Sequence, residues 1–108
     1  MAFVKTCGHY AVFVYPNETD VLARINLYCA DNNKLYVLFK DLPVGELPPN
    51  TYNQSAKVGV AYAPLSQYPN YIDLIRNEAP IKVTFRSEDN PPRYVVYASQ
   101  EEPGEGEM

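Results

Sequence analysis

Apolar and polar residues alternate along much of this chain in short runs, with the two-residue period of strands buried on one face. In the run from residue 81 to 86, Ile81, Val83 and Phe85 point one way while Lys82, Thr84 and Arg86 point the other. Runs rich in Val, Ile, Tyr and Phe predict strands near 8–15, 21–30, 34–40, 56–63, 80–86 and 93–99. Ten prolines fall mostly between these runs and delimit them, as expected of a residue that cannot donate to a sheet ladder. One stretch has the helical period instead. Asn70 can cap a helix over 70–79 in which Tyr71, Leu74, Ile75 and Glu78 or Ala79 share a side, with Asp73 in the first turn and Pro80 as the stop. Segment 41–55 has no clear period and reads as a long loop.

Pairing arithmetic turns the first three strands into a meander. A turn over 16–20 sets Tyr15 opposite Val21, Phe13 opposite Ala23, Ala11 opposite Ile25, His9 opposite Leu27 and Cys7 opposite Cys29. A hairpin loop of Asp31, Asn32 and Asn33, with Asn33 left-handed, then places Leu35, Val37 and Phe39 beside Cys29, Leu27 and Ile25. A slip of one residue would turn this apolar set outward, so the register is constrained by burial. In the last hairpin Arg86 faces Arg93, and Tyr94, Val96 and Ala98 join Ile81, Val83 and Phe85.

The fold class is therefore mainly β, a β-rich α+β domain. The expected architecture is a small six-stranded antiparallel barrel or sandwich, meander first, with one helix before the C-terminal hairpin. The order of elements resembles that of the oligonucleotide/oligosaccharide-binding fold, and the resemblance implies a barrel-type binder of single-stranded nucleic acid or a small ligand. At 108 residues the chain supports one core, which places a single domain over 1–100 and a disordered acidic tail over 101–108.

Charge adds little beyond that tail. Four of the 13 acidic residues, Glu101, Glu102, Glu105 and Glu107, lie in the last eight positions, and without them 9 basic groups balance 9 acidic ones. The net charge of −4 makes this a small acidic protein without giving its body an acidic surface. No apolar run approaches the roughly 20 residues of a membrane helix, and the N-terminal sequence lacks the pattern of a secretion signal. The expectation is a cytoplasmic protein with no membrane partner.

Residues with chemical potential are sparse. Cys7 and Cys29 fall opposite each other and can be reduced buried thiols, a cross-strand disulfide, or part of a metal site with His9 and Asp31. Reduced thiols suit a cytoplasmic setting, and no metal or other cofactor is expected. His9, the only histidine, falls on the core face with no nucleophile placed beside it. Carboxylates collect at turn tips, and the well-separated Gly8, Gly45 and Gly59 make no phosphate loop. No catalytic residue emerges, and the chain is not expected to be an enzyme.

Tyrosine is the unusual count, ten residues with no Trp. Tyr15, Tyr62 and Tyr94 read as core residues with their hydroxyls at the surface. On the reverse face of the meander the assumed register sets Tyr28 beside Tyr36, with Tyr10 on a diagonal, Leu38 extending the surface and Arg24 making it partly polar. A face this apolar needs a cover, whether the chain's own helix or loop, a protein partner or second copy, or a small ligand. The expected function is a small non-catalytic interaction module, self-associating as a homo-oligomer or binding a protein partner through Tyr10, Tyr28, Tyr36, Leu38 and Arg24. The alternative, an anion or nucleic-acid surface, rests on Lys82, Arg86 and Arg93 of the last hairpin.

Overall fold

The computed structural model describes residues 2–98, so the tail expected at 101–108 lies outside the described residues. Seven strands form one curled mixed sheet, a half-barrel. They are β1 (Phe3–Val14), β2 (Ala23–Cys29), β3 (Lys34–Lys40), β4 (Thr51–Asn53), β5 (Val58–Pro64), β6 (Ile81–Arg86) and β7 (Arg93–Ala98), with the helix α1 (Tyr68–Asn77) between β5 and β6. Their order across the sheet is β4-β5-β3-β2-β1-β6-β7. The mainly β class with one helix is as expected. The all-antiparallel arrangement of six strands is not, because β3 and β5 run parallel and the long loop contributes β4.

The inner face holds the core. Ile25, Leu27, Leu35, Val37, Phe39, Val83 and Phe85 are almost fully buried there, and each such side chain contributes roughly 1.5–3 kcal/mol when withdrawn from water. Helix α1 lies over this face, with Ile75 buried and Tyr68, Tyr71, Ile72 and Leu74 packed on the core. Phe39 meets the rings of Tyr68 and Tyr71 edge-on at 5.2 and 5.1 Å. The helix starts two residues earlier than expected, out of a 3-10 turn over Leu65–Gln67, with Pro69 in its first turn. Asn70 is thus inside the helix rather than its cap, and its amide bonds Gln67.

The two ends of the sheet approach each other through side chains. Tyr94 Oη donates to the Thr51 carbonyl at 2.6 Å, and Asn50 Nδ2 donates to the Pro92 carbonyl at 3.1 Å. Asn50 Oδ1 also accepts from the Tyr62 amide at 2.9 Å. Phe3, Tyr52, Phe85 and Tyr94 fill this end, with Phe3 and Phe85 stacked at 4.9 Å. Segment 41–55 is therefore an arm that closes the half-barrel.

Two registers differ from expectation. Cys7 does face Cys29, but a bulge at Gly8 shifts β1 by one residue, so that His9 faces Tyr28, Tyr10 faces Leu27, Val12 faces Ile25 and Val14 faces Ala23. The extra residue exchanges the two faces of everything after it. His9, Ala11 and Phe13, expected in the core, turn outward. Between β2 and β3 the three-residue loop is one position earlier, closed by the Cys29 amide on the Asn33 carbonyl at 2.8 Å. Asp31 and Asn32 take the left-handed conformation, at φ 60° and 64°. Asn33 is extended and buried; its amide bonds the Ala30 carbonyl and its Oδ1 accepts from Tyr52 Oη at 3.1 Å. This moves the pairing by two residues, to Leu35 with Leu27 and Phe39 with Ala23, so the faces are preserved.

Candidate interaction surface

The outer face of the half-barrel is built in rows by the register. Phe13, Arg24, Leu38 and Tyr62 form one row across β1, β2, β3 and β5. Ala11, Asn26, Tyr36 and Val60 form the next, followed by His9, Tyr28, Lys34 and Val58. None of these side chains belongs to the core cluster, and α1 packs on the opposite side of the sheet. Among the described residues no other α-helix exists to cover them.

Arg24 is the centre of this surface. Its guanidinium carbon lies 4.8 Å from the Phe13 ring centroid and 5.2 Å from that of Tyr36, so the cation is held between two aromatic rings. Asn26, 3% exposed, donates to Tyr28 Oη at 3.0 Å. Arg24 Nε and Asn26 Oδ1 are buried without a hydrogen-bond partner in the described chain, each a cost of about 1–3 kcal/mol. Lys40 reaches over the Tyr62 ring at 5.8 Å and pairs with Asp20. Phe13 and Tyr15 stack at 6.4 Å. Most of these groups shield one another and are half-buried.

Of the residues expected here, Arg24, Tyr28, Tyr36 and Leu38 do share the outer face. Tyr28 and Tyr36 are diagonal rather than directly paired, because Tyr36 faces Asn26. Tyr10 does not belong with them: the Gly8 bulge puts it on the inner side, 46% exposed, with Val12 and Val14. Tyr62, expected in the core, is on the outer face through its pairing with Leu38, whereas Tyr94 is a core residue. Phe13, Val60 and Tyr62 were missed as surface members. Finding them needed the bulge, whose one local signal is the isolated Gly8 within the strand run, and the parallel β3–β5 pair, which has none.

Lys82, Arg86 and Arg93 share the outer side of the last hairpin, with Arg86 facing Arg93 as expected. Arg93 Nε is paired with Asp89 at 2.8 Å, which offsets its charge. Cys7 and Cys29 form a disulfide, so neither sulfur is free to act as a nucleophile or metal ligand. Such bonds persist in oxidising compartments; the expectation of reduced thiols is not met. Among the described residues no group of three or more His, Cys, Asp or Glu side chains is placed to hold a metal ion. No helix of the described residues is long and apolar enough to cross a membrane.

A cleft of about 520 Å³ opens at the closed end of the half-barrel, lined by Phe3, Lys5, Asp31, Tyr52, Lys57, Glu88 and neighbours. Lys5 bridges to Asp31 and holds its carboxyl below the usual carboxylate range. Lys57, itself at φ 59°, donates to the Asp31 carbonyl. Burial raises the Tyr52 hydroxyl pKa, opposed by Lys5. Family models, curated proteins and solved structures were all compared with this chain, and none matches.

Proposed function

We propose that this chain is a small interaction module whose outer sheet face binds a protein partner, further copies of the chain included. The observation that carries the reading is the placement of α1 on the inner face, which leaves the Phe13, Arg24, Tyr36, Leu38 and Tyr62 side to be covered from outside the fold. Aromatic and Arg side chains among aliphatic ones are the composition of interface centres, where such residues contribute most of the binding energy. The surface works without catalysis and without a cofactor. Work in the cytoplasm would require it to function with the Cys7–Cys29 bond opened, since reducing compartments keep thiols free.

The decisive comparison is between the native chain and a Tyr28→Ser, Tyr36→Ser double variant whose circular dichroism is unchanged. The double variant should lose its captured partner proteins. Identical captured sets and identical association behaviour for the two chains refute the proposal.

A further inference from the structure

Beyond the Gly8 bulge, β1 has a neighbour on one side only. β6 pairs with Phe3 through Cys7 and stops there, whereas β2 continues to Val14. The direction of the main-chain groups along the remaining edge follows from the ladder. The Cys29 amide donates to the Asn33 carbonyl, so Cys29, Leu27 and Ile25 turn their N–H and C=O groups toward β3, and Tyr28, Asn26 and Arg24 turn theirs toward β1. Their partners in β1 are His9, Ala11 and Phe13. The main-chain groups of Tyr10, Val12 and Val14 consequently face the open edge, and these three residues are 46%, 38% and 62% exposed.

Edges of this kind are normally blunted by charge, by proline or by a bulge within the exposed stretch. Here no Asp, Glu, Lys or Arg occurs between Lys5 and Glu18, and no proline before Pro16. The stretch is Tyr10-Ala11-Val12-Phe13-Val14, entirely residues that pair well in sheets apart from Ala11. It is also self-complementary. Laid antiparallel on a second copy with Val12 opposite Val12, it brings Tyr10 opposite Val14 on one face and Ala11 opposite Phe13 on the other. These are the aromatic and β-branched cross-strand contacts that stabilise sheets. The same register carries Tyr15 of the second copy opposite His9, at the mouth of a cleft of about 340 Å³ lined by Gly8, His9, Tyr10, Ile75, Glu78 and Pro80.

We propose that the open edge of β1 is a dimerisation seam in which residues 10–14 of two copies pair antiparallel about Val12, joining two half-barrels into one continuous sheet. The seam is a different surface from the tyrosine-bearing outer face and stands whether or not that face binds a partner. An isologous pairing of this kind closes on itself, because the same residues of both copies form the contact.

The test uses the full chain in sedimentation equilibrium, with amide exchange measured at low and high protein concentration. A dimer is expected, with the Tyr10, Val12 and Val14 amides protected only at the higher concentration. Val12→Lys should weaken dimerisation at least about tenfold by placing like charges opposite each other, while Tyr28→Ser with Tyr36→Ser should leave it intact. Val12→Cys treated with oxidised glutathione should give a covalent dimer, and Val95→Cys, more exposed but on β7, should not. A chain that stays monomeric at all concentrations overturns the proposal, as does a dimer that survives Val12→Lys. Concentration-independent protection of the three amides also overturns it, since the edge would then be paired within one chain.

Discussion

Tyr94 packs so closely over Gly59 that a methyl group at position 59 would come within 2.6 Å of the Tyr94 hydroxyl oxygen and 2.7 Å of the ring carbon that bears it. The contact joins β7 to β5 across the gap that a fully closed barrel would fill with strand pairing. A residue without a β-carbon is what permits the ring to sit there and Tyr94 Oη to reach the Thr51 carbonyl.

Gly59→Ala should therefore destabilise the fold by about 1–3 kcal/mol through overpacking. In a Tyr94→Ala background the same substitution should cost little further, because the atoms it meets are gone. Urea unfolding of the two single variants and the double variant measures the coupling; additive losses would show that the two positions do not touch.

The alkaline limb of stability should report Tyr94. Burial, reinforced by neighbouring Tyr52, raises the Tyr94 pKa far above its ordinary value. The folded chain then holds this proton more tightly than the unfolded one, so the stabilisation is complete below about pH 10, the unfolded tyrosine value, and falls as pH rises from there toward the folded value. Tyr94→Phe should flatten that fall and cost about 1 kcal/mol at neutral pH for the lost bond to Thr51. Unfolding free energies between pH 8 and pH 11 (roughly the tyrosine range) check both effects.

On the acid side the sign reverses. Lys5, by hydrogen bond first and charge second, lowers the Asp31 pKa, so the contribution of this pair is present above the unfolded aspartate value and lost as pH falls through the folded one. Asp31 is exposed, and the contribution is small and screened by salt. Lys5→Met should bring the Asp31 carboxyl back toward the ordinary range in an NMR titration. An unchanged titration would mean that the bridge does not form in solution.

Reducing the Cys7–Cys29 bond, which joins residues 22 apart in sequence, should destabilise the chain by roughly 3 kcal/mol through the larger freedom of the unfolded state. A Cys7→Ser, Cys29→Ser double variant should match the reduced native chain in thermal unfolding and show no response to reductant. A reductant-insensitive native chain would show that the bond is not formed.

What could be read from the amino acids follows the strength of the local pattern. Lys34–Lys40 coincides with the expected strand because Leu35, Val37 and Phe39 alternate with residues of the other face and charged residues end the run. The Ile81–Arg86 and Arg93–Ala98 hairpin was legible for the same reason, down to the pairing of Arg86 with Arg93. β1 was not, since Tyr10, Ala11, Val12, Phe13 and Val14 are apolar at both parities and satisfy either register equally. The parallel β3–β5 pair and the short β4 depend on contacts far apart in sequence, among them Asn50 with Pro92 and Tyr94 with Thr51. Of the outer face, Arg24, Tyr28, Tyr36 and Leu38 were accessible from β2 and β3 alone, whereas Tyr62 and Phe13 were not.

The bulge at Gly8 lets one strand speak in two reading frames. Before it, odd-numbered positions look indoors; after it, even-numbered ones do. Straightening the strand with that glycine kept would send His9, Ala11 and Phe13 inside and turn Tyr10, Val12 and Val14 out, whereas deleting it would leave all six where they are. A one-codon deletion at this point is thus a change that a lineage built on this scaffold can absorb without repainting either side of the strand.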